Sequence, residues 1–379
     1  PQDWKENWRT GFTWDTDTLD TNLLAHSYQG ALFHNAARDN GFGYWGCLPF
    51  TLFGSLQWEL FFEDAPPSIN DNLVSPLGGL AFGEVLYRLS SMVLDNRASG
   101  SDRWRRELVA GFIAPMRGLN RLLTGEVARS GPTPPQWRTD YFGAQARVGG
   151  VLLHGDPSLG RFILEATIDY GDPFRSALRE PFDAFHLSVQ LGGEEERLIN
   201  RLRLDGMLGA LKLGADDSSR LLLAGLQQVE YTDLGDWQFG GQVFGAALLW
   251  RRTLPAQTDL RAALELRALP LAAISSDHAQ AFERTYDFGA GLGLQARLWY
   301  GRWPWGYTEL DAALTWIRAL DTPGSSHLAS QLGARVDVPL WRGLGLGAAL
   351  DLMRRHSEYA RFAAVTRTSP QLRLFVSLR

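Results

Sequence analysis

From about residue 141 onward, apolar and polar side chains alternate with a period of two, and they do so over segments far longer than an ordinary strand. Phe162, Leu164, Ala166, Ile168 and Tyr170 interleave with Ile163, Glu165, Thr167 and Asp169. Phe288, Ala290, Leu292, Leu294, Ala296 and Leu298 interleave with Asp287, Gly289, Gly291, Gly293, Gln295 and Arg297. Leu372, Leu374, Val376 and Leu378 do the same against Gln371, Arg373, Phe375 and Ser377. Side chains of a strand point alternately to its two faces, so each segment has one apolar and one polar face.

A soluble sandwich also alternates, and three features separate it from a membrane barrel. The segments run about 10–16 residues, against about 5–6 in ordinary sheets. Their polar face is heavily charged: Glu165, Asp169, Arg201, Arg203, Asp205, Glu265, Arg267, Arg297, Glu309, Asp311, Arg335 and Asp337 all fall on it. The other face is small or aliphatic, with Tyr170, Trp250, Trp299, Tyr300, Trp303, Trp305, Trp316 and Trp341 near segment ends, where an interfacial girdle would lie. Forty glycines and fourteen tryptophans suit the same architecture. The reading is a membrane all-β fold, an antiparallel outer-membrane β-barrel of about 12 strands, from 141–154 and 161–170 through to 344–357 and 369–379. Segment 219–232 is the least clear, because the run Leu221–Leu226 hides its phase. With both termini in the periplasm, the turns near Asp216, Pro255, Gly301 and Arg342 are short and periplasmic. The loops around Ser276, Gly324 and Arg361 are longer and external. Residues 171–183 break this rule and are expected to pack on the N-terminal region. The inward charges Glu165, Arg203, Asp205, Arg297, Glu309, Asp311, Arg335 and Asp337 line the lumen. Being mixed in sign, with Glu165 beside Arg147, Arg203 beside Asp205 and Arg335 beside Asp311, they are expected to pair and narrow it.

Before residue 130 the period changes to that of helices. Residues 1–19 read as a tail and 20–130 as a helical domain on the periplasmic side. Residues 131–140 read as a linker, opening on Gly131-Pro132-Thr133-Pro134-Pro135. Helices are expected over 20–40, closed by Asn40-Gly41, and over 45–62, interrupted by Pro49. A third begins at Ser75-Pro76 as N-cap and first turn and runs to about Asn96. A fourth spans 101–123, with Arg103, Arg105, Arg106, Arg117 and Arg121 forming a basic face among Trp104, Leu108, Val109, Phe112, Ile113 and Leu122.

Within the helical region, His26-Ser27-Tyr28-Gln29-Gly30, Ala37-Arg38-Asp39-Asn40-Gly41, Pro66-Pro67-Ser68-Ile69-Asn70-Asp71 and Pro76 to Ser90 carry the motifs HSYxG, ARxNG, PPSIND and PLGGxxxGExLYRxS. Over about residues 20–95 the chain resembles a functionally uncharacterised family of Gram-negative outer-membrane proteins. More distantly, the H-x-Y-x-G pattern looks like short helical envelope lipoproteins of unknown function. The resemblance implies a location in the outer membrane of a Gram-negative bacterium and no reaction.

His26, Glu59, Asp71 and Glu84 sit in otherwise apolar helices. Brought together, they would form an acid–base or metal group acting on a lipid. The alternative is a buried polar network, with Tyr28, His34, Asp39, Asn70 and Arg88, that fixes helix packing. Glu84 and Arg88 are four apart and share a face. Glu59 is expected to be half-buried, with His26 or Arg88 as partner. The spacing matches no standard metal-ligand pattern, so no metal and no cofactor is expected.

Other classes are excluded or weakened. The net charge is −5, which argues against nucleic acid. Cys47 is the one cysteine, so no internal disulfide forms. No run of about 18 uncharged apolar residues occurs. Neither G-x-S-x-G, H-E-x-x-H nor a P-loop is present, and the nearby pair His186 and Ser188 is expected to point inward, where no lipase triad would act. The chain opens on Pro1 without an apolar leader, as after signal-peptide removal or trimming, and shows no lipoprotein cysteine there. Expected partners are outer-membrane lipid and lipopolysaccharide, and a periplasmic or outer-membrane protein docked through Trp4, Trp8 and Trp14. Three roles follow: a transport or binding module, an envelope-lipid-modifying enzyme, or a component of an envelope assembly.

Overall fold

The computed structural model describes residues 7, 9–63, 65–153, 161–175, 178–194, 197–216, 218–255, 258–279, 284–302 and 306–379. It divides into two compact units, Pro1–Tyr141 and Phe142–Arg379.

The first unit is helical. A π-helical turn at Thr21–Ala25 leads into α1 (His26–Asp39), followed by α2 (Leu48–Phe61), α3 (Asp71–Val93), α4 (Gly100–Ile113) and α5 (Pro115–Leu123). Pro49 stands in the first turn of α2, where a missing N–H costs nothing, so it opens that helix rather than interrupting it. The expected start of the third helix at Ser75-Pro76 is corrected: α3 begins at Asp71 and carries Pro76 inside it. Its first turn is held from outside, with the Asp71 and Asn72 N–H groups donating to Ser68 Oγ and the Ser68 carbonyl. The expected single helix 101–123 is also corrected. Ala114 precedes a proline and takes φ −130°, ψ 84°, which splits the segment into α4 and α5. Helices α1 and α3 cross at glycine: a Cβ on Gly30 would stand 1.7 Å from the Ser75 carbonyl oxygen, and one on Gly79 2.4 Å from the Gly30 carbonyl carbon. Backbones approach this closely only where both residues lack side chains.

The second unit is a closed antiparallel barrel of twelve strands: β1 (Phe142–Leu153), β2 (Arg161–Tyr170), β3 (Phe185–Glu194), β4 (Arg197–Ala215), β5 (Ser219–Asp233), β6 (Gln238–Leu254), β7 (Thr258–Ser275), β8 (Tyr286–Arg302), β9 (Gly306–Ala319), β10 (Ser326–Trp341), β11 (Leu344–Glu358) and β12 (Val365–Leu378). Every strand pairs with its chain neighbours, and β1 closes on β12 with Gly149 opposite Phe375. No edge is left unpaired, as a lipid environment requires.

The barrel is inverted relative to a soluble protein. On β8, Leu292, Leu294 and Leu298 are exposed while Gly293 and Gln295 are buried; on β12, Leu374, Val376 and Leu378 are exposed while Arg373 and Ser377 are buried. An apolar exterior around a polar interior is stable in lipid and not in water. On β5 the ambiguous phase resolves with Leu222, Ala224 and Leu226 inward. Of the expected girdle, Tyr300, Trp316 and Trp341 are exposed. Tyr170 is instead buried and stacked on Phe185, and Trp299 packs against the cluster around Leu222 and Leu249. Trp303, Trp305, Trp4 and Trp8 lie outside the described residues, and Trp14 is half-buried.

The connections after β4, β6, β8 and β10 are short, at 216–218, 255–257, 303–305 and 342–343, whereas those after β7, β9 and β11 run over 276–285, 320–325 and 359–364. The connections after β3 and β5, 195–196 and 234–237, are short as well. The long link after β2 turns back onto the barrel: Phe174 packs with Leu222, Leu226 and Leu249, Asp172 pairs with Arg251 at 2.9 Å, and Arg220 donates to the Phe174 carbonyl.

Candidate functional site

Two buried polar groups form inside the helical unit, and the four residues singled out as a catalytic set are divided between them. Asp71 and Glu84 lie far apart on α3; thirteen residues at 1.5 Å each separate them by about 20 Å along the helix.

Glu84 is fully buried and closed by partners from two helices. Arg38 on α1 donates from Nε at 2.9 Å and Nη2 at 3.3 Å, Arg88 one turn along α3 donates from Nε at 2.8 Å, and His34 Nε2 meets Oε2 at 3.2 Å. Burial alone would raise the Glu84 carboxyl; the His34 hydrogen bond and the Arg88 and Arg38 charges outweigh it and hold it down at about 2, from an ordinary 4.5. The depressed value belongs to the folded state. The unfolded chain therefore takes up the proton first, and stability present above about pH 5 is lost as pH falls towards 2, by roughly 3 kcal/mol. An acid titration of the helical circular-dichroism signal is expected to show this loss between those limits, with its amplitude cut in the Glu84→Gln chain. A profile unchanged by the substitution would remove Glu84 as the cause.

The second group gathers where the loop before α1, the start of α1 and the start of α3 meet. His26 Nε2 stands 3.4 Å from Asp71 Oδ1, and its Nδ1 is 3.3 Å from Gln29. Asn70 donates to Asp71 at 2.8 Å and to Asn22 at 2.6 Å, and its own oxygen accepts the Asp15 N–H at 2.9 Å and the Ser68 hydroxyl at 2.8 Å. Glu59 is buried, not half-buried, and neither His26 nor Arg88 is its hydrogen-bond partner; it accepts the Ser68 N–H at 2.7 Å. Pro66 and Pro67 hold that loop extended, and Thr13 bridges to Ser68 beside it. Burial pushes Asp71 up to about 7 against the Ser68 and Asn70 hydrogen bonds. Burial also pushes Glu59 up to about 8, opposed by the Ser68 N–H and aided by the Glu63 and Asp71 charges. Asp71, in this range and beside the His26 imidazole, can exchange protons near neutral pH. Asp15, His26 and Asp71 place one ligand atom each within 4.8 Å of one another, so among the described residues they are the group whose geometry fits a cation.

Tyr28 is 45% exposed and lies in neither group. Asp39 pairs with Arg117 at 3.2 Å. Arg117 is buried under the Tyr87 and Trp137 rings, Arg103 donates to the Asn96, Glu126 and Arg129 carbonyls, and Arg121 pairs with Glu107 and Glu126 at 2.8 Å each. The basic face expected on 101–123 is thus partly corrected: three of its five arginines point inward and meet carbonyls and carboxylates. Sequence reasoning omits Arg38, Asp15 and Ser68 from the two groups. The one signal that points to Arg38 and Ser68 is their place inside the same motifs as Asp39 and Asn70.

The charges assigned to the lumen do meet there. Glu165 on β2 takes Arg147 at 2.5 Å, Arg335 on β10 at 3.2 Å and Arg373 on β12 at 3.2 Å. Asp205 on β4 takes Arg203 and, from β8, Arg297, each at 2.9 Å. Arg201 on β4 reaches Asp351 on β11 at 3.3 Å, and Gln145 on β1 donates to Asp337 on β10 at 2.9 Å. Arg335 also approaches Glu309 at 3.8 Å, whereas Asp311, its expected partner, accepts from Gln295 at 2.6 Å. Strands β4 and β8, and β10 and β2, are four apart in the barrel, so these bonds cross the lumen. Besides these charges, Trp237, Phe239, Leu269, Ile274, Ile317 and Met353 belong to one buried apolar cluster, and Phe174 with Leu222, Leu226 and Leu249 to another. His186 pairs with Asp169 at 2.7 Å.

Residues 11–116 match the model of a domain of unknown function (DUF3943). No curated protein matches the chain. Among solved structures, the NanC porin is 9% identical, with 62% of this chain and 100% of that chain covered and a TM-score of 0.35. A loop-deletion form of OmpT, an outer membrane protein of Vibrio cholerae, is 9% identical over 63% of this chain and 98% of that one, at 0.25. The outer membrane channel DcaP of Acinetobacter baumannii is 6% identical over 62% and 96%, at 0.27. Likenesses this slight say nothing about what this chain binds or passes.

Proposed function

We propose that the chain spans the outer membrane of a Gram-negative bacterium as a closed barrel, with its helical unit on the periplasmic side, and serves as a binding or transport module that holds no open pore at rest. The observation that carries this reading is the set of ion pairs across the lumen, in which side chains from strands four apart meet within hydrogen-bond distance. Charges that pair across a small barrel leave no continuous water column. In planar lipid bilayers the wild-type chain is expected to show no sustained conductance steps. The Arg203→Ala/Arg297→Ala chain, which loses two bridges to Asp205, is expected to show them. Large, stable steps from the wild type would overturn the reading.

A second reading, an enzyme acting on envelope lipid, draws on the Asp71, Glu59 and His26 group, whose carboxyls titrate near neutral pH. It requires that Asp71→Asn abolish turnover of an envelope lipid while the chain stays folded. Turnover retained in that variant would exclude it.

A further inference from the structure

The helical unit repeats the inversion seen in the barrel. Its interior holds Leu19, Leu23, Leu80 and Leu94, but also Glu59, Asp71, Glu84, Arg88, Arg103, Arg117 and Arg121. Its surface carries large apolar side chains on three helices. On α2, Phe50, Leu52, Phe53, Leu56, Trp58 and Phe61 are exposed, while Thr51, Gly54, Ser55 and Glu59 are buried. On α4, Trp104, Leu108, Val109 and Phe112 are exposed, Phe112 at 88%, while Arg103 faces inward. On α5, Leu119, Leu122 and Leu123 are exposed, while Arg117 and Arg121 are buried.

A water-soluble domain with one docking patch keeps a polar surface elsewhere and an apolar core. Here Glu59, Arg103, Arg117 and Arg121 turn inward while phenylalanines and leucines turn outward, on α2, α4 and α5 alike. We infer that the outward faces of α2, α4 and α5 are seated in a phospholipid leaflet. Two further observations point to lipid rather than to a second copy. The unit is joined without a break, at Tyr141–Phe142, to a barrel whose own exterior is apolar, so the bilayer is within reach of the chain. The join lies at the same end of the barrel as the turns at 216–218, 255–257 and 342–343, the end that the proposed function places in the periplasm, against the phospholipid leaflet of the outer membrane. Trp45, Trp58 and Trp104 supply rings suited to the headgroup boundary, and Arg97 and Arg105 supply exposed cations for lipid phosphates. No described helix is long and apolar enough to cross a membrane, so the seating is interfacial.

The inference rests on the membrane location of the barrel and not on whether its lumen conducts, so the conductance test and this one fail separately. The full chain with Cys47→Ser is made with a single cysteine at Phe53, Phe112 or, as a polar control, Asp102. Each is labelled with an environment-sensitive fluorophore and reconstituted into phosphatidylethanolamine–phosphatidylglycerol vesicles. Labels at 53 and 112 are expected to emit to the blue of the label at 102 and to be quenched several-fold more by nitroxide-bearing lipid than by aqueous iodide. Strong iodide quenching at 53 and 112 would overturn the inference. So would protection from both quenchers with cross-linking between copies, which would assign the faces to a dimer. Leu108→Cys replaces Phe112→Cys if that chain does not fold.

Discussion

Replacing Gly79 by valine is expected to cost the helical unit more than about 3 kcal/mol and to separate α1 from α3. The added Cβ would stand 2.4 Å from the Gly30 carbonyl carbon and 2.6 Å from its Cα. Both obstacles are backbone, so no side chain can rotate away, and relief requires the helices to part. Parting them strains the bonds from Arg38 and His34 on α1 to Glu84 on α3. Chemical denaturation followed by helical circular dichroism measures the cost. Retention of the wild-type midpoint would mean that the crossing is looser than the glycines indicate.

Glu84→Gln is the second large effect, at about 3–5 kcal/mol, because it leaves the buried Arg88 and the half-buried Arg38 without their carboxylate. Size and shape hardly change, so the loss reports charge. The double variant Glu84→Gln/Arg88→Gln removes one of the two cations that face Glu84 and is expected to recover part of the loss. A double variant no better than the single one would argue that packing, not charge, sets the cost.

The barrel is legible in the sequence because alternation is a local signal: each residue's face follows from its neighbour's. Periodicity places β2 at 161–170, the span it occupies, and the even number of strands follows from the same pattern. What strand order adds across the lumen is not legible. Proximity in the barrel wall matches Arg335 to Asp311, yet its guanidinium bonds Glu165, four strands away. The helical unit is harder for the same reason. Glu84 and Arg88, one turn apart, are recognisable as a pair, whereas Arg38 reaches Glu84 only through a glycine crossing that no local pattern encodes. The arginines of 101–123 read as a solvated face under the rule that charge faces water. Arg103, Arg117 and Arg121 follow the opposite rule.

The proposed function turns on a closed lumen, and a double-mutant cycle between Arg297 on β8 and Asp205 on β4 tests it most directly. Unfolding free energies of the wild type, Arg297→Ala, Asp205→Ala and the double variant give the coupling between two strands that are not neighbours. A bridged lumen predicts a coupling of about 1.5 kcal/mol or more. Additivity within about 0.5 kcal/mol would mean that water separates the two charges, and would contradict the closed lumen.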